Sequence, residues 1–354
     1  MKIFEKINFN YTSKLPFVVY KKPNENFVKG IFCKNDYLIY TSDFSESGFV
    51  FSPFDESRDK AILFPKNTSK IIEERVDFEN NTFHNFNYDN DVSSRENHIN
   101  LVSKAINRIK ESQIEKIVIS RKEEVSINDF RFLEVYKNLL QRYNNAFVYI
   151  WFHPEIGLWL GATPETLLEI KGNLFKTMSL AGTKNYKEGE ETIWGTKEIE
   201  EQQLVTDFIE NQVKHISDSL KIEIAKTIKA GTLLHLRSKV EGRLKEETSL
   251  NTLIKALHPT PAVCGLPRND AKKFILENES YDRTFYTGFL GEINFKEKSH
   301  LFVNLRCMNF KDSIANIYVG GGITKDSIPE KEWEETVSKT FTMKAVLNKK
   351  TINN

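Results

Sequence analysis

Two helical patterns place carboxylates where carboxylates are costly to keep. The first begins near Thr196. At 100° per residue, Leu204, Val205 and Phe208 fall within about 60° of Glu201. Glu201 thus lies in the middle of an apolar stripe, with Glu198 on its edge. A buried, unpaired carboxylate costs on the order of several kcal/mol. Glu201 therefore needs either a lysine or arginine, as a structural ion pair, or a metal ion. The second pattern opens near Pro329 and sets Glu332, Glu335 and Lys339 on one face, opposite Trp333 and Val337. An i,i+4 pair such as Glu335–Lys339 also reads as a surface contact worth about 0.3–0.5 kcal/mol. Two glutamates from different helices are, however, a donor set that suits Mg2+, which takes one or two carboxylates plus water and an anionic substrate.

Other segments carry chemical groups with equally plain alternatives. Gly161-Ala-Thr-Pro-Glu165 puts a carboxylate at a turn that ends a strand. Gly320, Gly321 and Gly322 would let backbone N–H groups approach an anion, although a glycine run also simply makes a loop. Arg306, read within a strand Val303-Asn-Leu-Arg-Cys307, could grip a carboxylate with both ends of its fork or serve an ordinary ion pair. His235 and His258 could be ligands, but a lone histidine in an apolar setting commonly just packs.

The elements that must position these groups are mixed. Short strands are predicted through the first ninety or so residues, at FVVY, GIFC, YLIYT and GFVFSPF. Residues 78–95 are polar and Asn-rich and read as a linker, ending in a Ser93-Ser94 cap for a helix with Ile99, Val102, Ile106 and Ile109 on one face. Strands follow at IEKIVIS, AFVYIWF, LWLG, LLEIKG, LFKTMSLAG, FLGEINF, HLFVNLRCMNF and NIYVGG. Helices are read at FLEVYKNLLQRY, from about Thr196 to Ser219, and from about Pro329 to Lys349. Strands cluster without regular βαβ alternation, so the class is α+β.

Composition excludes several roles. Lys and Arg number 50 against 49 Asp and Glu, for a net charge of +1, so no cationic face points to nucleic acid or an anionic membrane. The basic pair Lys349-Lys350 reads as a solvated tail. The longest apolar run, Ala146 to Phe152, is far short of the ~20 residues that span a bilayer. Cys33, Cys264 and Cys307 form no paired framework and the first residues hold no signal-like apolar run, so a cytoplasmic, reduced setting is expected. No leftover apolar stripe suggests self-association, so a monomer is expected.

In order along the chain, EKIVISR, GATPETLL, SLAGT, KEIEEQQLV, LLHL, LHPTPAVCGLPRNDA, YDRTFYTGFLG, VNLRC, YVGGGI and EWEETVSK resemble the chorismate-binding enzymes. The likeness runs from about Glu96 to about Val346; residues 1–95 share only a strand-rich character and are expected to complete the same fold, with residues 96–354 as the catalytic region. The resemblance implies two antiparallel sheets in a sandwich with flanking helices, around a deep site that takes chorismate. It implies that Glu201 and Glu335 hold Mg2+, with Glu198 an acidic position just outside them. Arg306 matches an arginine that binds a substrate carboxylate, and Gly182, Thr183, Gly320, Gly322 and Lys339 match the pocket lining, with His235 and Tyr286 in its wall.

Family members that add water to the ring use a lysine base, matched by Lys116; those that use ammonia lack it. Aminodeoxychorismate synthases also carry a nucleophilic lysine in PIKGT, where this chain has Ala181 in SLAGT. No glutamine amidotransferase subunit is therefore expected. Salicylate synthases carry threonine at the position of Ala262, whose methyl resembles isochorismate synthases. The implied reaction adds water at C2 of chorismate with loss of the C4 hydroxyl. Lys116 would be the base and Glu165 the acid; a base needs a free lone pair and an acid its proton, and burial favours the uncharged form of each. Salicylate synthase and a catalytically silent chorismate-binding regulator are the competing readings. The sequence leaves open whether the isochorismate would feed menaquinone, siderophore or salicylate synthesis.

Overall fold

A computed structural model of the chain describes residues 1–76, 92–127, 130–186, 188–189, 192–230 and 233–347. Most of the linker read at 78–95, and the pair Lys349-Lys350, lie outside them. Every strand pairing is antiparallel, and the strands form two sheets. The first runs, neighbour to neighbour, Gly265–Leu266, Lys116–Ser126, Ile314–Ile323, Cys307–Lys311, Gly157–Thr163, Phe147–His153, Phe17–Lys21, Phe27–Cys33 and Ser69–Arg75. The second runs Ser217–Ile222, Leu233–Leu244, Leu174–Asn185, Thr166–Lys171, Lys298–Val303, Phe289–Phe295, Gly48–Ser52, Ala61–Pro65 and Tyr40–Thr41, with Lys226–Ala230 also on Leu233–Leu244.

Burial explains why the strongest strand signals are unbroken apolar runs. Phe17–Lys21 and Phe147–His153 are buried at every position. A strand reads this way when both faces are covered. On one face Tyr20, Phe49, Phe51, Phe147, Tyr149 and Trp151 pack between the sheets. On the other, Val19, Val148 and Ile150 meet the helices Ile3–Thr12 and Phe132–Arg142 through Ile3, Ile7, Val135 and Leu139. The early strands are shared out: Phe17–Lys21 pairs with Phe147–His153 in one sheet, and Gly48–Ser52 with Phe289–Phe295 in the other.

Several boundaries differ from those read in the sequence. The helix expected to reach Ser219 stops at Val213, and Ser217–Ile222 turns into a strand. The final helix is Pro329–Lys344, and Ser93 and Ser94 sit inside the helix Val92–Lys110 rather than capping it. The helix Ile3–Thr12 opens a stretch read only as strands; its buried residues Ile3, Ile7 and Asn10 follow the helical period. The helices Leu250–Leu257 and Arg268–Asn278 and the long strand Leu233–Leu244 were also not anticipated. Arg306 is not within a strand but between two of them.

Candidate active site

Two neighbouring crossovers between the sheets build the centre of the site. Gly157–Thr163 leaves the first sheet, and after Pro164 and Glu165 the chain enters the second as Thr166–Lys171. Lys298–Val303 makes the reverse passage, through Asn304, Leu305 and Arg306, into Cys307–Lys311. The crossovers are bonded to each other: Val303 N–H donates to Glu165 O and Ala162 N–H to Arg306 O, both at 3.0 Å. Arg306 takes a left-handed φ of 47°, a conformation that for a non-glycine residue is costly and concentrates at functional sites. Glu165 is buried at 3% exposure, and burial pushes its carboxyl up to about 8 although Lys116, Arg306 and Lys339 pull it down. At neutral pH it is a protonated acid.

Three lysine–glutamate pairs gather beside these crossovers. Lys116, fully buried at the start of its strand, lies 2.8 Å from Glu201 on the helix Thr196–Val213. The contact is a close ion pair without hydrogen-bond alignment, and Nζ has no hydrogen-bond acceptor. Glu201 sits at the margin of its helix's buried face; Gln202, not Glu201, occupies that face, bonded to Ser179, Thr206 and Ser238. Lys339 donates to Glu335 at 2.6 Å and to Gly320 O at 2.9 Å. Lys197 pairs with the buried Glu332. Between them runs the glycine stretch of Ile314–Ile323, whose partner strand Cys307–Lys311 ends opposite Tyr318. A Cβ on Gly322 would stand 2.4 Å from Glu201 Oε1 and 2.7 Å from Lys116 Cε, so only glycine lets that pair meet.

Gly182 and Thr183 fall in a bulge of Leu174–Asn185, where Gly182 takes a φ of 69°. The bulge turns Gly182 O toward His235, whose Nδ1 lies 2.8 Å away. Burial first, then Arg306, pushes the imidazole down to about 3. The ring is neutral, Nδ1–H donates to Gly182 O, and Nε2 is left to accept from Arg306 Nη2 at 3.5 Å.

Glu165, Gly182, Thr183, Glu201, His235, Ala262, Tyr286, Arg306, Gly320, Gly322 and Lys339 line one cavity. Lys116 and Glu335 are not in its wall but are bonded to Glu201 and Lys339, which are. Glu198 takes a different role: its Oε2 accepts the Gly195 N–H at 2.9 Å and caps the helix. His258 lies outside the wall, edge-on to Phe289 at 5.0 Å and neutral because burial holds it down at about 3. Lys197 and Glu332 carry no role in the sequence reading, although Glu332 shares the helix face of Glu335.

Among the described residues, no group of three or more His, Cys, Asp or Glu is placed to hold a metal. Magnesium asks for less: one or two carboxylates, with water and an anionic ligand. Burial and the charge of Glu335 raise the carboxyl of Glu332, partly offset by Lys197. Burial works against Glu335 too, but Lys339, then Lys197 and Arg306, hold its carboxyl below the usual range. Glu335, paired with Lys339, and Glu201, paired with Lys116, are two carboxylates of the kind magnesium asks for, beside Gly321 and Gly322 respectively.

The fold and this cavity define a class. The chain belongs to the chorismate-binding enzymes, whose family profile matches residues 52–348. In particular it is similar to the isochorismate synthase DhbC of Bacillus subtilis, at 30% identity over 270 residues, 71% of this chain and 68% of that protein. The vibriobactin-specific isochorismate synthase of Vibrio cholerae is 28% identical over 255 residues, 69% of this chain and 65% of its own. The match to Escherichia coli EntC spans 50% of that protein. A solved structure described as a putative 2,3-dihydroxybenzoate-specific isochorismate synthase, DhbC from Bacillus anthracis, superposes with a TM-score of 0.81 at 25% identity, over 98% of this chain and 99% of the other. Anthranilate synthase component I of Streptococcus pneumoniae shares the fold at a TM-score of 0.68 and 19% identity. Among the described residues no helix is long and apolar enough to cross a membrane.

Proposed function

We propose that this protein is a magnesium-dependent isochorismate synthase, adding water at C2 of chorismate as the C4 hydroxyl leaves. One observation carries the reading: the buried carboxyl of Glu165, which burial favours in its protonated form, shares a cavity with Glu201, whose partner Lys116 stands 2.8 Å away just behind the wall. Water is a weak nucleophile and hydroxide a poor leaving group, so the reaction needs a base and an acid at once. Lys116 takes a proton from the attacking water, and Glu165 gives one to the departing C4 oxygen, which leaves as water while the ring double bonds shift. Arg306, steadied by the neutral His235, binds a substrate carboxylate. The bulge at Gly182 and Thr183 and the bare strand at Gly320 and Gly322 let the ring approach backbone. Bound Mg2+ on Glu201 and Glu335 would supply a positive charge that neutralises and orients the ring carboxylate.

The small Ala262 in the wall supports release of isochorismate rather than onward elimination to salicylate. Water as nucleophile also makes an amidotransferase partner unnecessary. The test is turnover of chorismate with Mg2+, with isochorismate separated by chromatography and pyruvate followed through lactate dehydrogenase. Isochorismate without pyruvate, abolished by EDTA, is expected. Stoichiometric pyruvate would make salicylate synthase the better name, and no product at all would favour a silent binder. Activity that survives exhaustive chelation would remove the metal.

A further inference from the structure

The segment Tyr281-Asp-Arg-Thr-Phe-Tyr286 carries an arginine to which the proposed reaction gives no task. Arg283 is 2% exposed and stands behind the cavity wall rather than in it. A guanidinium has five N–H donors, and here five acceptors meet them. Nε and Nη2 hold the two oxygens of Glu279 at 2.7 and 2.5 Å. Nη2 also donates to Val118 O at 2.7 Å, and Nη1 to Val263 O at 2.9 Å and Thr287 Oγ1 at 3.3 Å.

Those last three acceptors are all on cavity-lining residues, and they come from three separate segments. Val118 belongs to the strand that begins with Lys116. Val263 follows Ala262 in the loop after Leu250–Leu257. Thr287 precedes the strand Phe289–Phe295 and donates in turn to Tyr286 O. Glu279 fixes the first strand a second time, accepting from Ser120 N–H and Oγ at 2.8 Å. Val118 and Ser120 stand two and four residues along the strand from Lys116, so both members of the ion pair are bonded to the strand that presents the lysine.

A buried ion pair is weak evidence of stability, because desolvation consumes much of its Coulomb gain. Its geometry here is more specific than its energy. We propose that Arg283, clamped by Glu279, is a positioning residue that fixes the strand bearing Lys116 against the loop bearing Ala262, and thereby governs both water attack and the fate of the enolpyruvyl group. The inference rests on the proposed reading of this cavity.

Arg283→Lys keeps the charge and its partner but loses the planar fork that reaches three backbone segments. Glu279→Gln keeps an acceptor for Ser120 and loses the charged clamp. Expected for Arg283→Lys is a fall in kcat of about tenfold or more per folded protein, a raised KM for chorismate and a larger ratio of pyruvate to isochorismate, because small misplacements of reacting groups are costly. Glu279→Gln should move the same quantities in the same direction. A merely structural role would lower Tm and leave KM and the product ratio at wild-type values in both variants, which overturns the proposal. Should Arg283→Lys fail to fold, Glu279→Gln is judged on the same ratios. Wild type is assayed first: if it forms no isochorismate, the reading of the cavity fails by itself. The positioning role then stands or falls on calorimetric chorismate affinity, expected about fivefold weaker in the variants and unchanged if the role is wrong.

Discussion

Two buried ion pairs touch the same strand two residues apart, and they are built to opposite specifications. Arg283 and Glu279 each have 2% side-chain exposure, and every donor of the guanidinium is used. Lys116 is equally buried, but its partner Glu201 is 14% exposed, the contact is off the hydrogen-bond line and the ammonium has no acceptor. A buried donor left unsatisfied costs about 1–3 kcal/mol. The saturated pair has nothing left to offer a ligand and can only hold geometry. The unsaturated one has unspent bonding capacity beside a cavity. On the proposed reading, the difference separates positioning from chemistry within one patch of sheet.

The comparison breaks most sharply at Lys116. Lys116→Ala should lower kcat by about 10^2–10^4-fold, the usual span for a lost general base, with Tm lowered because Glu201 loses its partner. A variant that keeps kcat within about tenfold of wild type would return Lys116 to a structural role. Glu165→Gln should cost about 10^2-fold or more, since an amide has no proton to give. The alkaline limb of the pH profile has a definite sign: Glu165 is active while protonated, and its carboxyl is raised to about 8, so wild-type kcat/KM should fall above that pH. A profile level from about pH 7 to about pH 10 would defeat the assignment. The smallest effect is expected at Glu198, whose carboxylate caps a helix. Glu198→Ala should cost about 1 kcal/mol of stability, seen as a Tm lowered by a few degrees, with the Mg2+ activation constant unchanged. A shift in that constant would restore the metal-supporting role that resemblance implies.

Legibility followed the length scale of each interaction. Phe17–Lys21 and Phe147–His153 could be read because strands covered on both faces become continuous apolar runs. Leu233–Leu244 was missed although it carries the period of two: Leu236, Ser238 and Val240 are buried, while Arg237, Lys239 and Glu241 between them face outward. The cap at Glu198 was also within reach, since an acidic residue three places into a helix is a capping signal. Helical periodicity put Glu201 mid-stripe, whereas the sheet and its glycines set it at the edge and bring Lys116 to it. That meeting depends on strand register and on the missing side chain of Gly322, which no local pattern encodes. Arg283 was invisible for a further reason: three of its five acceptors lie outside its ion pair and two of those are backbone carbonyls, present at every residue and therefore absent from any sequence signal.

The paired crossovers have a mechanical consequence. Glu165 and Arg306 sit on adjacent crossovers between the sheets, stitched together by Ala162–Arg306 and Val303–Glu165 hydrogen bonds. A site assembled from one residue per layer would widen with any sliding of one sheet over the other. Here Glu165 and Arg306, the proposed proton donor and carboxylate anchor, occupy two crossovers bonded to each other. Any shear of one sheet against the other would carry both residues together, because their two crossovers are hydrogen-bonded to each other.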